Sequence, residues 1–348
     1  MECIVVYIYV IPLISIIGFI LSILCFLIFS NKDFKETLYK YLQVESLLIS
    51  INLFIQTFRP VYFYNESYFS KSLFSQAYSF YILYYFVSSL EMASFILHIM
   101  SSLDFFLLIS NLTQKLSFYK KLNYKIVSII ICLFSILIYI YILFIKEIRS
   151  HDVLFINAEN EIISYSIIYL SYDTEFSKTI SKKVIEIAVV VLRDGIFLLT
   201  LVILNIVIYL HVRKSIMKKK KMLKQKDKDN GTMIKTEASI DDVSVSNNQT
   251  NGKKSNSERK SSRAQYKLTI MVIIGSLNCI LGRLPILTDF IVQNIIGWND
   301  QVKLLNMYAC LAVYVSYSIY FFLYMYTNKR FNKIFFQYLQ IIFKPLRT

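Results

Sequence analysis

The stretch VIEIAVVVLRDGIFLLTLVILNIVIYL, from Val184 to Leu210, is followed directly by HVRKSIMKKKK, from His211 to Lys221. A helix rises about 1.5 Å per residue, so some 20 apolar residues cross the roughly 30 Å hydrocarbon core of a bilayer. Val184–Leu210 is longer than that and carries few charges, while the lysines after it must stay in water. This segment therefore spans a membrane and leaves a cationic connector on one side. Working outward, six further runs have the same character: Ile4–Phe29, Tyr39–Phe58, Gln76–Ile109, Ile126–Ile145, Leu268–Val292 and Leu304–Thr327. The second is the weakest, because Glu45 interrupts it. The first begins near the N-terminus without a charged leader or a small-residue cleavage site, and reads as an uncleaved signal-anchor.

Composition agrees. Hydrophobic residues make up 56% of the 348 and charged residues 18%, with only 7 Gly and 4 Pro, which excludes a disordered chain, a collagen or an ordinary soluble domain. A net charge of +15 would suit nucleic acid, but the 27 Tyr and 27 Phe sit mostly inside the apolar runs rather than among the basic residues, so no nucleic-acid partner is expected. The five cysteines, Cys3, Cys25, Cys132, Cys279 and Cys310, form neither a zinc spacing nor a secreted disulfide framework. No cofactor or metal is implied, and no enzymatic constellation can be assembled from three dispersed histidines.

Orientation follows from the Lys and Arg asymmetry of the connecting loops. With the N-terminus outside, the inner segments hold 28 of the 38 Lys and Arg, including Lys32, Lys35 and Lys40 in the first loop and Lys115, Lys120, Lys121 and Lys125 in the second. The expectation is an all-α membrane protein, a seven-transmembrane helix bundle with a short amphipathic C-terminal helix, in the plasma membrane with the C-terminus cytoplasmic. Its parts are residues 1–210 with helices one to five, 211–263 as a disordered basic third inner loop, 264–327 with helices six and seven, and 328–348 as the amphipathic helix and tail. The loop's ends are expected to extend spans five and six helically, with their bases near anionic lipid. Ser255, Ser257, Ser261 and Ser262 lie among its basic residues, where a kinase could act or where the run is simply solvated.

Short motifs then line up in order along the chain. Gly18-Phe19-Ile20-Leu21-Ser22 and Leu38-Tyr39-Lys40-Tyr41-Leu42 resemble the first helix and first inner loop of rhodopsin-like G-protein-coupled receptors. Asp104-Phe105-Phe106 stands where that family has Asp-Arg-Tyr, and Gly282-Arg283-Leu284-Pro285 carries its kinking proline with Arg283 at the usual tryptophan. Tyr320-Phe321-Phe322-Leu323-Tyr324 resembles the family's Asn-Pro-x-x-Tyr, and Thr327-Asn328-Lys329-Arg330-Phe331 its turn into an eighth helix. The chain looks most like divergent invertebrate neuropeptide receptors. The resemblance implies an extracellular ligand, a peptide by the family's look, and a heterotrimeric G protein inside, with Asp104, Phe105, Phe106, Pro285, Tyr320 and Tyr324 at the switch and coupling positions. Departures are plain: Phe105 replaces the arginine, Tyr320-Phe321 replaces Asn-Pro, the second-helix Asp is replaced around Glu45-Ser46, and the family's outer cysteines are missing.

Charges within the spans carry the remaining chemistry. One at mid-bilayer costs about 2.5–3.5 kcal/mol on insertion scales, so each requires a partner or a wet cavity. Glu91 lies thirteen residues before Asp104, about 20 Å along the helix, at the level the motif alignment gives Arg283. The two are expected to form an ion pair, serving either as an electrostatic switch or as a fixed register mark. Arg193 is expected to meet a polar ligand group and Asp194 an interhelical hydrogen bond, since adjacent helical side chains diverge by about 100° and only one should face the centre. His98 reads as a satisfied core histidine. Asn65-Glu66-Ser67 is the glycosylation sequon on the outer side, and the acidic Lys146–Lys183 loop would suit a basic peptide or be merely solvated. A transporter or channel is the competing class, because Glu91, Asp194 and Arg283 would also line an ion path. The topology has a direct check. Epitope tags at the two termini, probed on intact cells, should label only the N-terminal end, and equal labelling of both would refute the odd span count.

Overall fold

The structure, a computed structural model, describes residues 6–60, 71–110, 122–156, 162–236, 248–297 and 299–343. Eight long helices account for most of them. A π-helical turn, Val6–Val10, leads into α1 (Ile11–Phe29), followed by α2 (Thr37–Thr57) and α3 (Leu73–Ile109). α4 (Tyr124–Ile138) continues as a 3-10 turn through Phe144. α5 is built from Ile180–Val190, a π-helical stretch Val191–Phe197, and Leu198–Thr236. α6 (Asn248–Ile296), α7 (Asp300–Thr327) and α8 (Lys329–Phe343) complete the order.

Among the described residues, six helical segments, Ile8–Phe29, Leu73–Ile109, Tyr124–Phe144, Ile180–Ser215, Lys267–Ile296 and Asp300–Thr327, are long and apolar enough to cross a membrane. The chain is therefore a multi-pass helical membrane protein. α2 is not among the six, because Lys40, Gln43, Glu45, Ser46, Ser50, Asn52 and Gln56 lower its hydropathy. Its packing is nevertheless that of a bundle member. α2 lies against α1 and α3, with Glu45, Ser46, Ser50, Asn52 and Gln56 buried while Leu47, Phe54 and Phe58 are exposed. These polar groups, together with Leu38, Leu42, Ile49 and Leu53, are covered by neighbouring helices, while the large side chains left exposed are apolar, as a low-dielectric exterior demands.

Two expectations need correction. The 146–183 segment is not a plain loop, because β1 (Lys146–Ile156) and β2 (Ile162–Asp173) pair antiparallel, Lys146 opposite Asp173, as a hairpin beside the bundle. The Ile-, Tyr- and Ser-rich run of β2 suits a pleated surface, and Tyr169 N–H donates to Lys71 O at 2.7 Å to tie the hairpin to the start of α3. The 211–263 segment, expected to be a disordered linker with helical ends, is helical throughout its described parts. α5 runs on to Thr236 and α6 starts at Asn248, because extending a helix already nucleated by an apolar span costs little, and Lys, Gln and Met are good helix formers. Residues 237–247 lie outside the described part.

The end opposite the hairpin is held by aromatics. Phe29 meets Phe34, Tyr39, Tyr324 and Phe331 at ring-centroid distances of 5.1–5.8 Å, joining α1, α2, α7 and α8. Asn328 organises the corner. Its Oδ1 accepts from the N–H groups of Arg330 and Phe331, starting α8, while its Nδ2 donates to Tyr39 Oη at 3.2 Å. α8 is amphipathic, with Phe331 and Ile334 buried and Lys329 and Arg330 exposed.

Two glycines permit close helix approach. A Cβ on Gly282 of α6 would lie 2.8 Å from Ser316 Cβ of α7, whereas one on Gly18 of α1 would meet Ser318 Oγ at 2.5 Å and the Leu53 Cδ1 tip at 2.9 Å. A hydroxyl rotates and a leucine tip swings, but a Cβ moves only with its backbone. Gly282→Ala should therefore destabilise the purified protein by about 1–3 kcal/mol, with Gly18→Ala costing visibly less in the same thermal melt.

Candidate functional site

α3, α5 and α6 each bring charge into the bundle at one level, nearer the hairpin end. Arg283 of α6 is the hub. Its Nη2 donates to Glu91 O and to Tyr317 Oη, each at 3.1 Å, and its guanidinium carbon lies 4.9 Å from the centroid of the Phe95 ring. Nη1 stands 3.8 Å from Glu91 Oε2 of α3 and 3.9 Å from Asp194 Oδ1 of α5, and makes no hydrogen bond. The structure thus brings Glu91 and Arg283 together, with Asp194 equally close. One buried guanidinium is shared by two carboxylates from two helices.

Arg193 and Asp194 behave differently from the expectation drawn from an α-helix. Both are buried, and they pair with each other: Arg193 Nε lies 2.9 Å from each oxygen of Asp194, and Nη2 also donates to Oδ2. Arg193 Nη1 reaches Tyr139 Oη at 2.9 Å, linking α5 to the end of α4. The cause is the π-helical turn Val191–Phe197, whose wider i→i+5 winding reduces the angle between successive side chains. Asp194 thereby supports both arginines, and Arg193 is engaged by protein groups. The four charges sum to zero, as burial at low dielectric requires.

Beside this network, toward the hairpin end, lies a cleft of about 140 Å³. Gln56 and Arg59 from the end of α2, Ser79 and Ser88 of α3, and Tyr314 of α7 supply its polar lining, and Glu91 is the one network charge that reaches it. Arg59 Nη1 donates to Tyr314 Oη at 3.0 Å and to Gln56 Oε1 at 3.3 Å. Glu91 is loosely held, its Oε1 3.5 Å from Asn52 Nδ2.

A second buried contact, nearer the α8 end, joins α2 to α3. Glu45 Oε1 lies 2.9 Å from His98 Nδ1, both almost wholly buried, and His98 Nε2 is 3.4 Å from Ser276 Oγ of α6. His98 is a core histidine with a carboxylate partner. Sequence reading treated Glu45 as an interruption and His98 as separate; nothing in one chain links positions 53 residues apart, except that both are polar at membrane depth and each needs a partner. Arg59, Tyr139, Tyr314 and Tyr317 were missed for a similar reason, since Tyr is abundant and Arg59 reads as a span flank.

The other expected positions are placed as follows. Phe105 is fully buried, Asp104 is buried with Tyr41 in its electrostatic range, and Phe106 meets the His211 ring edge-on at 6.3 Å. Tyr320 and Tyr324 stack at 5.9 Å, Tyr320 also facing His98, and Pro285 interrupts the hydrogen bonding of α6 two residues after Arg283. Asn65 lies outside the described residues. The chain matches no protein-family model and no curated protein.

Removing Arg283 leaves buried Glu91 without its cation, while Asp194 keeps Arg193. Arg283→Met should therefore lower stability by about 3–5 kcal/mol, more than Glu91→Gln, which leaves Arg283 beside Asp194. The double variant Arg283→Met/Glu91→Gln should recover part of the loss, and additive losses in thermal melts would contradict a shared contact.

Proposed function

We propose that this protein is a seven-span receptor of the rhodopsin-like kind, in the plasma membrane with the hairpin end outside. An extracellular ligand enters the cleft, and a heterotrimeric G protein meets the α8 end. The burial of Glu45, Ser46, Ser50, Asn52 and Gln56, with Leu47 and Phe54 left on the outer face, supports counting α2 as the seventh span. The observation that carries the reading is the continuity between the cleft and the hub. Glu91 lines the one and holds Arg283 in the other, and Arg283 sits two residues before Pro285, where α6 is most easily bent.

A ligand shifts a conformational equilibrium only through contacts that differ between states. A cationic group drawing on Glu91 competes with Arg283, which then leans on Asp194 of α5 instead. That exchange moves α6 relative to α3 and supplies the differential contact, in place of an aromatic switch. Its other end acts on the packed Asp104, Phe105, Phe106, Tyr320 and Tyr324 layer. A long basic peptide drawn by the hairpin has weaker support, since Glu147 pairs with Arg149 and Glu175 with Lys178.

Cells expressing the chain, challenged with a panel of peptides and small polar molecules, should show ligand-dependent G-protein dissociation absent from mock-transfected cells. Arg283→Met at matched surface expression should abolish the response. Ligand-gated current in cells without G protein would instead establish a channel.

A further inference from the structure

We infer that the cleft is a site for a small zwitterion with an ammonium and a carboxylate on the same carbon, an α-amino acid; this rests on the receptor reading given above. The cleft presents one cation, Arg59, and one anion, Glu91, to the same space. A ligand with a single charge would be attracted to one and repelled by the other, whereas a zwitterion satisfies both.

Two residues on one face of α2 mark where the charges stand. Glu91 Oε1 lies 3.5 Å from the side chain of Asn52, and Arg59 Nη1 lies 3.3 Å from that of Gln56. Asn52 and Gln56 are one turn apart on α2, a rise of about 6 Å. An α-amino acid carries both charges on one small carbon centre and can meet Arg59 and Glu91 through charge-assisted hydrogen bonds of about 2.8 Å. A cleft volume of about 140 Å³ has room for a molecule of that order. Chemically, the carboxylate docks on the Arg59 fork, the ammonium donates to Glu91, and Ser79, Ser88 and Tyr314 hydroxyls surround the polar head. Glu91 suits the role because its present partners are distant: 3.5 Å to Asn52 and 3.8 Å to Arg283.

The test uses the full-length chain purified in detergent, thermally melted with each of the common L-α-amino acids at millimolar concentration. Matched amines lacking the carboxylate and N-acetyl derivatives lacking the ammonium serve as single-charge controls. A subset of amino acids should raise the melting midpoint by several degrees, and the controls by less than a third as much. Arg59→Gln, near the cleft rim and away from the hub, should weaken binding at least tenfold with Arg59→Lys partly restoring it, and Glu91→Gln should match Arg59→Gln. No stabilisation by any amino acid, equal stabilisation by the amines, or unchanged binding in Arg59→Gln overturns the inference. The two claims separate cleanly. Amino-acid binding without G-protein dissociation overturns the receptor reading alone, and G-protein dissociation driven by a ligand lacking either charge overturns the zwitterion alone.

Discussion

A guanidinium cannot be left uncompensated in an apolar interior, and Arg283 makes that constraint the organising feature of the bundle. Its two hydrogen bonds, its place beside Phe95 and its two nearby carboxylates come from α3, α5 and α7. Displacing any of these helices would strip a buried charge of a partner. Buried ion pairs are often no more stabilising than apolar substitutes, but they penalise misregister heavily. The network therefore specifies one arrangement of four helices more than it adds to stability. Within that arrangement Nη1 stands almost equidistant from Glu91 and Asp194.

The two ends of the bundle are built on different physics. Around the cleft, polar groups and charges from α2, α3 and α7 meet toward the hairpin end, held by long contacts such as Asn52–Glu91 at 3.5 Å. Around Phe29, stacked aromatics and the Asn328 cap make a dense, polar-poor layer that moves only as packed blocks. Between them sits the Glu45–His98 contact, which ties α2 to α3 in the middle of the membrane-spanning region. A signal passing from the first end to the second would cross elements that shift discretely rather than deform.

Much of this was legible along the chain. Long neutral runs bounded by lysines announce membrane helices because hydrocarbon admits little else. Spacing from Asp104 gave the depth of Glu91, since a helix converts residue count into depth, and the receptor resemblance set Arg283 at the same level. Where reading failed, local winding or pairing intervened. The π-helical turn at Val191–Phe197 overrode the angular argument that separated Arg193 from Asp194. The hairpin went unseen because strand propensity in Ile162–Asp173 is realised only once a second strand supplies its hydrogen bonds. α2 looked doubtful because hydropathy sums a helix's faces, while its polar residues lie on the face that neighbours cover.

By itself the sequence determined what must be buried: apolar runs long enough to span, and ionisable residues within them that could not remain alone. The tertiary structure decided who pairs with whom. Glu45 with His98, Arg59 with Tyr314, and Arg283 between Glu91 and Asp194 join positions distant in the chain. The requirement for a partner is a property of each residue's transfer energy, whereas the partner's identity depends on helix order, rotation and register, which exist only in the assembled bundle.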